Sequence, residues 1–165
     1  MAETRSTVRK GRFGRTIWWV GVLATLVLVA ALAQGFEVRN PETLRPHLFL
    51  GLVASLILLF CHLWIGGYLR VLRREIRLHL ASSGSPAGVE VPRPHSLWAF
   101  VAVILLLGSF LLGPAGLQGV VPYAFHAAAG FLALAAQVAG LWVEKRDLAA
   151  SDRILDRLFA AERAA

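Results

Sequence analysis

Charged side chains are scarce in this chain of 165 residues: Asp, Glu, Lys and Arg make up 16% of it, against about 25% in an ordinary soluble domain. Cysteine is down to one, Cys61, which sits inside an apolar block. A disulfide framework or a thiolate zinc cluster within one chain is therefore excluded. No nucleophile with a base, no glycine-rich phosphate loop and no paired carboxylates stand in or beside the apolar blocks, so the chain by itself does not read as an enzyme. A transporter would show broken helices or intramembrane charges, and neither is present apart from histidine. No nucleic-acid-binding motif accompanies the net charge of +7, whose meaning lies in where each charge falls.

What is abundant is apolar sequence. Hydrophobic residues make up 57% of the chain and the mean hydropathy is +0.63. They gather in four blocks, 17–36, 48–69, 97–112 and 120–143, none interrupted by Asp, Glu, Lys or Arg. A helix of about 20 apolar residues crosses about 30 Å of hydrocarbon, so the expectation is an all-α polytopic membrane protein, a four-helix transmembrane bundle. The third block is the shortest and ends at Gly113 and Pro114, which leaves 115–117 to reach the interface. Residues 1–16 form a basic N-terminus, 81–96 a Ser-, Gly- and Pro-rich linker, and 144–165 an amphipathic C-terminal helix with Leu148, Leu155, Leu158 and Phe159 on one stripe. That helix is suited to lie on lipid, to dock on a partner, or to pack on its own bundle.

Lys and Arg number five before the first block, two after it, five between the second and third, none before the fourth and five after it. The excess marks the cytoplasmic side, so both termini are expected in the cytoplasm, in what reads as a bacterial inner membrane. Trp18, Trp19, Trp64, Trp98 and Trp142 fall toward those ends as an aromatic belt, and Tyr123 marks the outer side. The basic start, the apolar run and Ala31-Leu32-Ala33 also describe a cleavable signal peptide. Against cleavage, the first block has a counterpart later in the chain.

At an offset of 79 the chain pairs Trp19 with Trp98, and His47-x-x-x-Gly51 with His126-x-x-x-Gly130. Two duplicated helical hairpins account for this, with the second and fourth spans related by a pseudo-two-fold axis along the membrane normal. His47 lies 17 residues before Trp64 and His126 lies 16 before Trp142, so the imidazoles differ in depth by about 1.5 Å. The i, i+4, i+7, i+11 face holding His126, Gly130, Ala133, Gln137 and Gly140 is the small and polar one, which membrane helices turn inward.

Two parallel helices with histidines at one level could share a ligand. A b-type haem held by His47 and His126 is the sharpest candidate, with Gly51 and Gly130 making room for the porphyrin edge. Arg39 and Arg45, the two basic residues on the outer side, would meet the propionates. The plainer alternatives are histidines bonded to water or head groups at the interface, arginines on lipid phosphates, and a metal or quinone site. His62 lies about 12 Å before Arg70 along the same helix. Its roles include a fifth-coordinate ligand, a proton carrier, part of a quinone pocket, or a neutral imidazole bonded to Ser55, Ser109, Gln137 or a carbonyl. No acidic residue within a span is available to it.

The second span, with His47, then His62 followed by Trp64, Gly66, Gly67 and Tyr68, resembles the bis-histidine haem-ligating helices of quinol-oxidising membrane cytochrome b proteins. The resemblance covers little more than the second and fourth spans. It implies that His47 and His126 are the outer ligand pair and His62 one ligand of an inner pair. The fourth-span counterpart of His62 is Leu141, which cannot bind iron, so a second haem is not implied. Two functions of different class follow: a haem-binding electron-transfer or quinone-reactive subunit, or a small accessory or assembly subunit without cofactor. In either case the surroundings are lipid, membrane protein partners or a second copy of the chain.

Overall fold

The computed structural model describes residues 2–38, 40–82 and 96–164, and among them there is helix and no strand. Four helices follow one another: α1 Ala2–Gly35, α2 Pro41–Ser82, α3 Ser96–Leu117 and α4 Tyr123–Ala164. Each contains a stretch long and apolar enough to cross a membrane: Phe13–Gly35, Glu42–Ala81, Leu97–Gly116 and Tyr123–Leu158. Most of the linker 81–96 and Arg39 lie outside the described residues.

Local chemistry sets the ends at the side of the two short connections, called here the loop end. Asn40 caps α2, its Oδ1 accepting the Thr43 amide at 3.0 Å, with Pro41 at the first helical position where a missing N–H is harmless. The helix thus begins seven residues before the expected second block and already contains Arg45 and His47. At the other connection α3 runs through Pro114 to Leu117. It closes with the amide of Gly119 on the Gly116 carbonyl and that of Val120 on the Ala115 carbonyl, Gly119 taking φ +71°. This double closure needs a left-handed residue. With Pro122 following, α4 starts at Tyr123, so 120–122 belong to the connection and not to the fourth span.

Packing follows from the stripes. On α2 the buried residues Ala54, Leu58, Cys61, Ile65, Leu69 and Leu72 recur every three to four positions, the spacing of one helix face. Ala24, Leu28, Ala54, Leu58, Leu106 and Ala133 make the mid-bundle core. Nearer the end that holds both termini, Leu148 packs with Ile65, Leu69, Trp18 and Tyr68. The tail of α4 therefore begins by lying on its own bundle. α1 packs chiefly on α2 and α3 on α4; α1 also meets α4, α2 approaches α3 and α4 more loosely, and among the described residues the backbones of α1 and α3 stay apart. Outward faces carry Leu23, Phe49, Leu63, Leu97 and Leu111, each more than 60% exposed. That surface suits lipid, where apolar side chains lose nothing by facing out.

Candidate functional site

Because α2 and α4 face each other across the bundle, their first two turns bring the two repeat histidines together. The ring centroids of His47 and His126 are 6.0 Å apart and the planes stand at 89°. Each ring is oriented by the helix beside it. The Nδ1 of His47 lies 2.8 Å from the Ala31 carbonyl of α1, and that of His126 lies 2.8 Å from the Ser109 carbonyl of α3. A carbonyl only accepts, so both Nδ1 atoms carry a proton and donate it, and in the neutral ring the lone pair then lies on Nε2. This is the tautomer in which histidine ligates a metal through Nε2.

The neighbours are small where the rings need space. A Cβ on Gly35 would come within 3.0 Å of His47 Cε1, and one on Gly113 within 3.3 Å of His126 Cε1. The hydroxyl of Tyr123 donates to the Gly35 carbonyl at 2.8 Å, tying α4 to α1, and its ring lies 5.6 Å from that of His126. Both histidines line one cleft with Gly51, Gly113, Gly130 and Ala133. Its volume is about 60 Å³, and it is open on one side.

The glycines read from the repeat divide into two roles. Gly51 borders open space, with nothing within 4 Å of a Cβ placed there, whereas a Cβ on Gly130 would stand 2.6 Å from Leu32 Cδ2. Gly130 thus serves close packing as well as the cleft. Arg45 is exposed and is not among the residues lining the cleft; Arg39 lies outside the described residues. The sequence reading did not place Gly35, Gly113, Tyr123 or the two carbonyls at the histidine site. The signal was present: Gly35 and Gly113 are 78 apart, one less than the histidines, because His47 follows Gly35 by 12 residues and His126 follows Gly113 by 13.

His62 occupies a different place, about 22 Å further along α2. Its side chain is 2% exposed, and Nδ1 lies 2.6 Å from Glu144 Oε1 while Nε2 lies 2.8 Å from Gln137 Oε1. Gln137 is among the partners expected from sequence; Glu144 corrects the expectation that no acid reaches His62. Side chains on a helix lean toward its N-terminus, so Glu144, counted just past the fourth span, reaches back one turn into the bundle. With both ring nitrogens engaged, His62 offers no lone pair to iron. His62 and Glu144 line a second cleft of about 490 Å³ with Leu63, Gly66, Gly67 and Phe100, on the loosely packed side between α2 and α3. Cys61 is buried among packing residues.

Among the described residues no group of three or more His, Cys, Asp or Glu is placed to hold a metal ion. No family model, curated protein or solved structure matches this chain.

Proposed function

We propose that this chain is a small electron-transfer subunit that binds one b-type haem between His47 and His126. The observation that carries the reading is the pair of Nδ1 bonds to the Ala31 and Ser109 carbonyls, which turns two imidazoles 6.0 Å apart into two Nε2 donors. Two iron–nitrogen bonds of about 2 Å and the distance from each nitrogen to its ring centre also total about 6 Å. A bare ion held by two imidazoles would lack half of its ligands, whereas haem brings four nitrogens of its own. Its contribution is a one-electron iron couple. His47 and His126 would hold the iron, the Ala31 and Ser109 carbonyls fix their tautomer, and glycines flank the site. Gly51 leaves room for the macrocycle at the open side of the cleft, and Arg39 and Arg45, the basic residues closest to His47 in sequence, would pair with its propionates.

In this reading the bundle is two duplicated hairpins in a bacterial inner membrane, both termini cytoplasmic. The matched relationships support the duplication: His47 with Ala31 and Gly35, His126 with Ser109 and Gly113. The second cleft, reached from the lipid past Leu63 and Phe100, is where a quinone would meet His62 and Glu144.

A cofactor-free accessory or assembly subunit, alone or as a homo-oligomer, is the second reading, and the small volume of about 60 Å³ favours it. A dithionite-reduced minus oxidised spectrum of the purified protein, expressed with ample haem, decides between them. Sharp low-spin haem b bands support the first reading; a featureless spectrum from folded protein replaces it with the second.

A further inference from the structure

Where the apolar stretch of α2 ends, Arg70, Arg73, Arg74 and Arg77 follow at i, i+3, i+4 and i+7, a spacing that gathers them on one helix face. With Leu78 they line a pocket of about 350 Å³. Arg70, Arg74 and Arg77 are exposed and alone would make only a solvated basic face. Arg73 is different. Its side chain is 3% exposed, yet Nε, Nη1 and Nη2 have no hydrogen-bond partner among the described residues. The facing carboxylate of α4, Asp147, stands 3.6 Å from Nη2, beyond hydrogen-bond length.

A guanidinium carries five N–H donors and a permanent charge, and burying it without acceptors is strongly unfavourable. One carboxylate cannot satisfy these donors or balance four arginines. A compact anion with several oxygens can, and phosphate matches the planar fork of arginine. Depth names the source. Arg70 directly follows Leu69, the last residue of the uninterrupted apolar block, and Arg77 lies about 10 Å further on, so the pocket begins in the layer of phospholipid head groups. Basic pockets at that level bind anionic head groups.

We propose that Arg70, Arg73, Arg74 and Arg77 form a phosphate site filled by the head group of an anionic phospholipid, Arg73 donating from within and the exposed arginines closing from the water side. The site is independent of haem.

The test is thermal unfolding of the purified full chain in micelles doped with dioleoyl phosphatidylglycerol, with dioleoyl phosphatidylcholine, or with inorganic phosphate in plain detergent. Phosphatidylglycerol is expected to raise Tm saturably, phosphatidylcholine to leave it unchanged, and free phosphate to act only at tenfold or higher concentration. The double variant Arg70→Gln/Arg74→Gln, altered at exposed positions that tolerate change, is expected to weaken the lipid effect about thirtyfold. A second variant, Arg153→Gln/Arg157→Gln, removes the same charge from the exposed tail and is expected to keep it. Equal loss in both variants reduces the effect to net charge and overturns the site. Equal stabilisation by phosphatidylcholine, or free phosphate acting as strongly as the lipid, overturns the lipid assignment.

Discussion

His47 and His126 meet edge to face with ring centroids 6.0 Å apart, each held from behind by a carbonyl of the helix it is paired with in sequence. The orientation of both rings is thus set by backbone, which no side-chain substitution removes. The first expected outcome concerns these two residues. His47→Ala and His126→Ala should each abolish retention of haem, while His62→Ala leaves it largely intact. Haem content per protein after purification measures this, and equal loss in all three variants would contradict the ligand assignment.

The glycines give a sharper comparison. Gly35→Ala places a methyl 3.0 Å from His47 Cε1 and should destabilise the fold by about 1–3 kcal/mol, the usual range for overpacking. Gly51→Leu faces open space, so it should fold with a Tm near that of the parent. It should nonetheless block haem, because it fills the cleft. Thermal unfolding followed by haem titration separates the two effects.

The buried pair of His62 and Glu144 should be costly to break and cheap to replace. Glu144→Ala leaves the buried Nδ1 of His62 without its partner, a loss of about 3–5 kcal/mol. The counterparts 79 residues away are all apolar and buried: Leu141, Leu58 and Ile65. The triple variant His62→Leu/Gln137→Leu/Glu144→Ile, which copies them, should be at least as stable as the parent. Unfolding in mixed micelles compares them, and a triple variant weaker than Glu144→Ala would refute the argument.

By contrast, Arg15 and Asp152 form an ion pair of 2.8 Å in which the arginine is 69% exposed. Solvent and salt screen such a pair. Asp152→Asn should shift Tm by no more than a degree or two, and less still at high ionic strength.

Orientation can be tested with single cysteines. Cys61 is buried and should stay unlabelled in intact membranes. A cysteine replacing Gln118, in the α3–α4 connection, should react with an impermeant maleimide from the outside of the cell, and one replacing Arg153 only after lysis. The reverse pattern would invert the topology.

Much of this architecture is legible in the sequence. The four spans can be read because an apolar run must be helical where no water can bond the backbone, and inward faces can be read because small and polar residues recur at helical spacing. The meeting of His47 with His126 follows from the repeat. What stays hidden has physical causes. Helix ends are decided by caps and turns, so α2 begins before its apolar block and α4 after its own. The lean of Glu144 toward the N-terminus carries a carboxylate into a bundle whose spans look free of charge. The carbonyls of Ala31 and Ser109 leave no mark at all, because every residue has one.

The two longest helices have a mechanical meaning. α2 and α4 each run 42 residues, about 63 Å, roughly twice the hydrocarbon thickness. The histidines sit near one end of each, and the exposed arginines of the α4 tail sit near the other. With no break between them, each helix is a lever without an elbow. One unbroken backbone thus joins each imidazole to a tail that ends well beyond the thickness of the hydrocarbon.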